Sequence, residues 1–202
     1  MRKLVVSAFM TLDGVVQAPG GPEEDEEGNF AYGGWSAPFW DDQIEEFMTE
    51  LMGKPFDLVL GRRTYDLFAS FWPNAPEELD GAKPLNDAVK YVASRGNPDL
   101  TWKESVLLEG DAAEAVAKLK EGDGPELQVH GSGNLIQTLL KNNLIDELRL
   151  LVYPVVLGTG KRLFADGTVP AGLRLVKGSV SDSGVMMSVY EPAGEVRTGS
   201  FA

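Results

Sequence analysis

The sequence predicts an α/β domain whose sheet is largely parallel and ends antiparallel. Strand-like apolar runs alternate with helical patterns over most of the 202 residues, which is typical of a parallel sheet. Two strand-like runs within 173–192 follow each other directly and predict a terminal β-hairpin. The chain has no internal repeat and no break in composition. We therefore expect one domain over residues 1–192 and a tail over 193–202.

The first predicted elements lie in the N-terminal half. Residues 3–10, KLVVSAFM, are rich in strand formers and end in the turn-like TLDG. A helix is expected to begin near residues 38–42, because apolar residues recur there on one helical face. That face consists of Ile44, Phe47, Met48 and Leu51. Residues 58–60 predict a short buried strand, and a further helix is expected from Thr64.

Strands and helices continue to alternate in the C-terminal half. Residues 90–94 predict a strand, and 101–110 contain one or two further strand segments. Asp111 is the expected N-cap of a helix that Gly122 ends, because Glu114 lies at the capping-box spacing. The remaining predicted elements are a strand at 127–130, a helix at 134–143 and a strand at 147–153.

Residues 17–36 cannot form a regular element, because glycine, proline and acidic side chains dominate them. The segment is about twenty residues long, and loops of that length in compact domains are often lids or binding loops. Two alternatives remain open from the sequence: a solvated acidic surface loop, or a lid over a bound ligand.

The composition excludes several classes of protein. With no cysteine and one histidine, the chain has no disulfide scaffold, no cysteine nucleophile and no expected metal site. A net charge of −13 repels phosphate backbones, so we expect no nucleic-acid partner. No run reaches the ~18 apolar residues of a membrane span, so we expect no membrane partner and a cytoplasmic protein. Asp13 interrupts the N-terminal apolar run, which favours a strand over a signal peptide.

Two segments with basic residues follow predicted strands. GRRT at 61–64 lies between a strand and a helix, where the free N–H groups of a helix N-terminus bind anions. Its arginines suit phosphate recognition, although pairing with surface carboxylates is the alternative. Ser94 and Arg95 follow the next strand. Together with Arg62 and Arg63 they would form a basic corner suited to an adenosine ribose that carries an extra phosphate.

HGSG at 130–133 is either a phosphate loop or a plain glycine turn. Its two glycines allow a ligand to approach the backbone closely, and Ser132 and Asn134 can cap the next helix. The segment is not the Rossmann fingerprint, because Ile136 occupies the position of the third glycine. His130 is expected to face its neighbours in the strand rather than to act in catalysis.

Acidic residues near these segments are the candidate catalytic groups. Asp13 in TLDG either forms a turn or reaches a ligand. Asp41 and Asp42 begin the first helix, where acids favour the helix dipole and where a carboxylate could also relay a proton. We take Asp13 and Asp42 as the candidate catalytic residues.

Taken together, these segments resemble the dihydrofolate reductase-like superfamily. Within it they are most similar to the reductase domain found C-terminal in the bifunctional riboflavin-biosynthesis deaminase/reductase and to its stand-alone bacterial relatives. The resemblance covers about residues 3–191. It rests on SAFMTLDG, VLGRRTYD, YVASR, VHGSGNLIQTLL, DELRLLVYPVVLGTGKRLF and the final hairpin.

The resemblance implies a three-layer fold around a sheet of about eight strands, an NADPH-dependent hydride-transfer reductase, a small-molecule substrate and a homodimer. It places Arg62 at the 2′-phosphate with Ser94 and Arg95 beside it, and Arg63 and Thr64 at the pyrophosphate. The implied cofactor-binding set is Gly61, Arg62, Arg63, Thr64, Ser94, Arg95, Gly131, Ser132, Gly133, Asn134 and Leu135.

The substrate side departs from the family pattern. Dihydrofolate reductases have a carboxylate two residues after the proline of a W-x-x-P segment. Trp35 and Pro38 match that segment, but Trp40 occupies the carboxylate position. A shift of one residue rotates a helical side chain by about 100°, so Asp41 and Asp42 point elsewhere and folate is not the expected substrate.

The resulting hypothesis is an NADPH-dependent reductase of a small heterocyclic or carbonyl compound. The 5-amino-6-(5-phosphoribosylamino)uracil reductase of riboflavin biosynthesis is one such type, although the H-x-E and P-C-x-x-C elements of a zinc deaminase are absent. Two alternatives remain: a protein of the same fold that binds a small molecule or nucleotide without turnover, and a purely structural or interaction protein.

Overall fold

Apolar runs of four to eight residues form the strands of an eight-stranded sheet in the computed structural model, which describes residues 1–201. The strands are β1 Leu4–Thr11, β2 Phe56–Gly61, β3 Lys90–Ala93, β4 Ser105–Leu108, β5 Glu126–Val129, β6 Glu147–Tyr153, β7 Leu173–Val180 and β8 Met186–Pro192. Their order across the sheet is β4-β3-β2-β5-β1-β6-β8-β7. The pairs formed among β1 to β6 are parallel, whereas β8 pairs antiparallel with β6 and β7. The predicted α/β class, with its antiparallel C-terminal hairpin, is confirmed.

The helices connect these strands. They are α1 Asp42–Met52, α2 Arg62–Phe71, α3 Ala82–Asp87, α4 Ala112–Glu121 and α5 Gly133–Lys141. Asp111 caps α4 as expected, since its carboxylate accepts hydrogen bonds from the N–H groups of Ala113 and Glu114 at 2.9 and 3.1 Å. Short 3-10 turns precede α1 at Ala37–Phe39 and follow α2 at Trp72–Asn74.

Alternating strand side chains build a core on each face of the sheet. On one face Val59 packs in a cluster with Val116 of α4 and Leu139 of α5. On the other face Leu58 packs with Tyr65 of α2, and further along the sheet α1 covers β6 and β8. The predicted three-layer arrangement is therefore confirmed.

Some elements differ from the sequence prediction. Helix α2 begins at Arg62, so both arginines of GRRT lie in its first turn rather than in a preceding loop. Helix α3 was not predicted, because it has six residues and includes Pro84, which a first helical turn tolerates. Residues 101–110 contain one strand, β4. Strand β8 ends at Pro192, and the division into a domain and a tail stays a prediction.

Ion pairs hold the amino ends of the parallel strands together. Arg2 pairs with Asp57 at the start of β2, and Arg149 pairs with Glu147 at 2.5 Å and with Glu126 at 3.1 Å. Burial acts to raise the pKa of Glu147, but the neighbouring cations outweigh it and lower that pKa. The charges at this edge therefore neutralise one another. None of the described helices has the length and apolar character needed to cross a membrane.

Candidate functional site

The strand order brings the predicted cofactor-binding segments to one edge of the sheet. Strand β2 lies between β3 and β5, and Gly61 at the end of β2 pairs in register with Ala93 at the end of β3. Arg62 and Ser94 are therefore the first residues beyond two adjacent strands. The HGSG segment follows β5, which pairs with the other side of β2. Ligands of α/β proteins bind at this carboxyl edge.

The GRRT and HGSG segments touch through their backbones. The N–H of Gly61 donates a hydrogen bond to the carbonyl of Gly131 at 3.1 Å. A Cβ on Gly61 would overlap the Ser132 hydroxyl, and one on Gly131 would lie 2.6 Å from Thr64 Oγ1. Gly131 also has φ +147°, a conformation that side chains disfavour. The two segments thus approach so closely because both positions lack a side chain.

Both helices that begin here lack a side-chain cap. Ser132 occupies the N-cap position of α5, yet its side chain makes no capping bond, and Asn134 lies inside the helix. Neither side chain therefore caps α5, and the Ser132 hydroxyl lies close to Gly61. Gly61 likewise leaves α2 uncapped, whereas Asp41 and Asp111 cap α1 and α4. The first N–H groups of α2 and α5 are therefore available to an anion.

Two of the three arginines in the set pair with nearby carboxylates. Arg62 Nε donates to Asp66 at 2.6 and 2.7 Å one helical turn away, and Arg63 pairs with Glu27 of the 17–36 loop. Arg95 is exposed, and Ser94 Oγ accepts a hydrogen bond from the Gly96 N–H at 3.2 Å. The surface pairing weighed as an alternative for GRRT is thus present. Exposed pairs of this kind are weak and can exchange for a phosphate.

His130 lies beside this contact as a neutral side chain. Its Nε2 is 3.0 Å from Gln128 Oε1, and its ring packs against Phe68 with centroids 6.3 Å apart. Burial, with a smaller contribution from Arg149, lowers the pKa of His130 to about 4. The side chain faces its neighbours, as expected.

Asp13 holds the loop that follows β6. Its carboxylate accepts hydrogen bonds from the Thr11 hydroxyl at 2.6 Å and from the amides of Leu157 and Gly158 at 3.2 and 2.8 Å. The Thr11 hydroxyl contributes most, and the two amides add to it, so that the pKa of Asp13 falls to about 2. Asp13 is therefore ionised at neutral pH and is placed to organise the loop.

The two acids at the start of α1 have different surroundings. Asp41 accepts hydrogen bonds from the amides of Ile44 and Ser183, each at 3.0 Å. Burial acts to raise the pKa of Asp41, but these amides lower it to about 2. The Asp42 side chain is exposed and makes no hydrogen bond or ion pair within residues 1–201. The structure brings neither Asp41 nor Asp42 into a contact with the cofactor-binding set.

Aromatic side chains gather beside α1 at the ends of β1 and β6. Trp40 is 47% exposed and lies 6.2 Å from Phe9, whose ring is 5.5 Å from that of Tyr153. Trp35 and Phe39 make edge contacts with Tyr153 at 5.3 and 5.9 Å. An exposed tryptophan that packs on other aromatic side chains offers a stacking surface to a flat heterocycle.

The 17–36 loop is tied to the same edge by specific hydrogen bonds. Gln17 Nε2 donates to the carbonyls of Asp25 and Glu27, each at 3.0 Å, and Gln17 Oε1 accepts from the Lys161 N–H at 3.0 Å. Trp35 Nε1 donates to the Gln17 carbonyl at 2.7 Å. These bonds pack the loop on the domain, whereas the side chains of Glu23, Glu26 and Glu27 are exposed, so the choice between a surface loop and a lid stays a prediction. The sequence analysis did not single out Glu27 or Lys161. The available signal was that Lys161 follows β6, the strand that lies beside β1.

Comparison with known proteins agrees with this fold. Residues 2–187 match the model of the RibD C-terminal domain family, so the chain belongs to that family within the dihydrofolate reductase-like class. It is 30% identical over 194 residues to protein YyaP of Bacillus subtilis (strain 168), with 94% of each chain covered. It is 34% identical over 119 residues to YwjB of the same organism, covering 58% of this chain and 63% of the relative.

Two solved structures share the fold. A candidate riboflavin biosynthesis protein from Shewanella sp. PV-4 superposes with a TM-score of 0.71 at 23% identity, covering 94% of this chain and 98% of that one. A pyrimidine reductase-like protein from Corynebacterium diphtheriae superposes with a TM-score of 0.63 at 15% identity, covering 98% and 93%. The family resemblance drawn from the sequence is confirmed.

Replacing Gly131 with alanine should lower the free energy of unfolding by about 1–3 kcal/mol, because the new methyl group meets Thr64 and the backbone φ disfavours a side chain. Urea denaturation measures the change. Gly133→Ala is the matched control, because its Cβ meets no atom within 4 Å, and it should change stability by less than about 0.5 kcal/mol. Equal stability of the two variants would contradict the close approach.

Replacing Asp13 with asparagine should lower the free energy of unfolding by about 1–2 kcal/mol at pH 7, because charge-assisted hydrogen bonds are lost. The pKa of Asp13 is lowered from 3.8 to about 2 on folding. Its contribution is therefore present above pH 3.8 and fades as the pH falls towards 2, where variant and wild type converge. Urea denaturation across this pH range tests the prediction, with the exposed Asp99→Asn as control. A difference that does not change with pH would refute it.

Proposed function

We propose that this chain is an NADPH-dependent reductase of a small heterocyclic or carbonyl compound. The observation that carries the proposal is the backbone contact between GRRT and HGSG, which sets two uncapped helix N-termini side by side at the carboxyl edge. Membership of the RibD C-terminal domain family supports it, as do the printed descriptions of the structural relatives.

The donor set of this edge fits a phosphate-rich cofactor. The free N–H groups of α2 and α5 suit the pyrophosphate, together with Arg63, Thr64 and the 131–135 segment. Arg62, Ser94 and Arg95 suit a 2′-phosphate, because they follow adjacent strands of the sheet. NADPH, when bound, supplies a hydride to the substrate.

On the substrate side, the chain's own residues orient a flat ring and exclude water. The exposed Trp40 over Phe9 is the proposed stacking surface. Asp42 remains the proposed residue for relaying a proton, because its carboxylate is exposed and makes no hydrogen bond within the described chain. Asp13 is proposed to act by holding the loop after β6. The 5-amino-6-(5-phosphoribosylamino)uracil type is the first substrate to test.

A second candidate function is ligand binding without turnover. It is favoured by the hydrogen bonds of Asp13 and Asp41, which occupy both carboxylates in holding the local backbone. An assay of NADPH oxidation against a panel of pyrimidine and carbonyl substrates separates the candidates. A reductase consumes NADPH with at least one compound, whereas a binding protein shows affinity alone.

Arg62→Ala should weaken NADPH binding about 10- to 100-fold and leave NADH binding unchanged, because only NADPH carries the phosphate that a charged hydrogen bond from Arg62 would hold. Isothermal titration of both dinucleotides measures the two affinities. Arg197→Ala is the matched control, since this exposed arginine lies after β8 and outside the predicted cofactor-binding set. An equal loss for NADH and NADPH would place Arg62 outside the 2′-phosphate site.

We also propose that the chain forms a homodimer through β7. This strand lies at the edge of the sheet, and every one of its eight residues is exposed. Its large apolar side chains are 42–63% exposed, and these are Leu173, Leu175, Val176 and Val180. A long edge strand with exposed apolar side chains is a favourable surface for association.

Val176→Lys should convert the dimer into a monomer, because it places a charge among the exposed apolar side chains of β7. Light scattering coupled to size exclusion measures the mass, which for a monomer is 21.9 kDa. Val106→Lys makes the same change on β4 at the opposite edge, and it should leave the dimer intact. Dissociation by both variants, or by neither, would rule out β7 as the interface.

A further inference from the structure

Two cations from distant parts of the chain converge on one carboxylate oxygen. Arg63 in the first turn of α2 and Lys161 in the loop after β6 both contact Glu27 Oε2, with the lysine nitrogen at 2.7 Å. Lys161 also pairs with Asp25. The site is therefore built from GRRT, from the loop after β6 and from the acidic loop.

The acidic loop is positioned for this contact by its own backbone. The Gln17 side chain binds the carbonyls of Asp25 and Glu27 and the amide of Lys161, so it links both sides of the ion pair. Glu27 and Lys161 also line an open cavity of about 270 Å³. The hydrogen bonds from Arg63 and then Lys161 lower the pKa of Glu27 to about 2, so the carboxylate is charged at neutral pH.

We propose that Arg63 and Lys161 form a two-cation anion site, which Glu27 fills until a phosphate group of the cofactor displaces it. The inference rests on the proposed function and extends it by adding Lys161 to the cofactor-binding residues. A carboxylate oxygen and a phosphate oxygen accept the same charge-assisted hydrogen bonds, so Glu27 stands where a phosphate oxygen would bind. An exposed ion pair is weak, whereas a phosphate also reaches the free amides of α2, and this allows the exchange.

Glu27→Gln should therefore tighten NADPH binding. It removes the competing charge and leaves the side chain's size unchanged. Isothermal titration of the 202-residue chain should show a Kd about two- to fivefold lower than in the wild type. Glu26→Gln is the matched control, because it removes the adjacent charge of the same loop from a side chain without an ion pair in the described residues. Its Kd should change by less than about 1.5-fold.

The Lys161 part of the inference needs a second variant. In the Glu27→Gln background, Lys161→Met should raise the Kd for NADPH about two- to fivefold, because the second cation is lost. An unchanged or lower Kd would mean that Lys161 only holds the loop and would overturn its assignment to the cofactor site.

The outcomes separate this inference from the proposed function. NADPH binding by the wild type, with no tighter binding by Glu27→Gln, overturns the competition and leaves the reductase proposal standing. A failure of both wild type and Glu27→Gln to bind NADPH overturns both. Tighter binding by Glu27→Gln, with Glu26→Gln unchanged, supports both.

Discussion

The hydrogen bond from the Gly61 amide to the Gly131 carbonyl sets the distance on which the rest of the site depends. It joins the ends of β2 and β5, and it is possible only because neither position carries a side chain. With a methyl group on either residue, Ser132 or Thr64 must shift, and the N-termini of α2 and α5 separate. The free amides of the two helices converge only while this contact is kept.

The charges of the chain are divided between the two edges of the sheet. At the amino edge, cations and carboxylates form ion pairs such as Arg2 with Asp57 and Arg149 with Glu147. At the carboxyl edge, arginines and Lys161 pair with exposed carboxylates: that of Asp66 one helical turn away, or that of Glu27 on the 17–36 loop. Buried pairs are costly to break, whereas exposed pairs exchange readily. The amino edge is thus suited to stability and the carboxyl edge to binding.

The sequence predicted those elements whose local signals agree with their tertiary surroundings. The apolar run at 147–153 became β6 with the expected bounds, and Asp111 caps α4 because its capping pattern is local. Helix α3 was not predicted, because six residues are too few to show a helical pattern of apolar residues. Side-chain capping of α5, which the sequence allows, is not observed, and Ser132 lies instead in the tertiary contact between the two glycine segments.

The candidate site was predictable where it depends on strand ends and not where it depends on the acidic loop. GRRT, Ser94 and HGSG follow strands, so the rule that ligands bind at the carboxyl edge identifies them together. The pairing of Glu27 with Arg63 spans 36 residues of sequence, and no periodicity links the two. Only the folded path of the loop, fixed by Gln17, brings them into contact.

The division of charge also bears on how fast an anion reaches the site. A protein with net charge −13 repels a polyanion from a distance, while the cations at one edge attract it at close range. At physiological ionic strength the Debye length is about 8 Å, so the distant carboxylates are screened and the local cations dominate. In dilute buffer the Debye length is longer, so the carboxylates of the whole surface repel the anion. Encounter with a phosphate-bearing ligand is therefore slower in dilute buffer than at physiological salt.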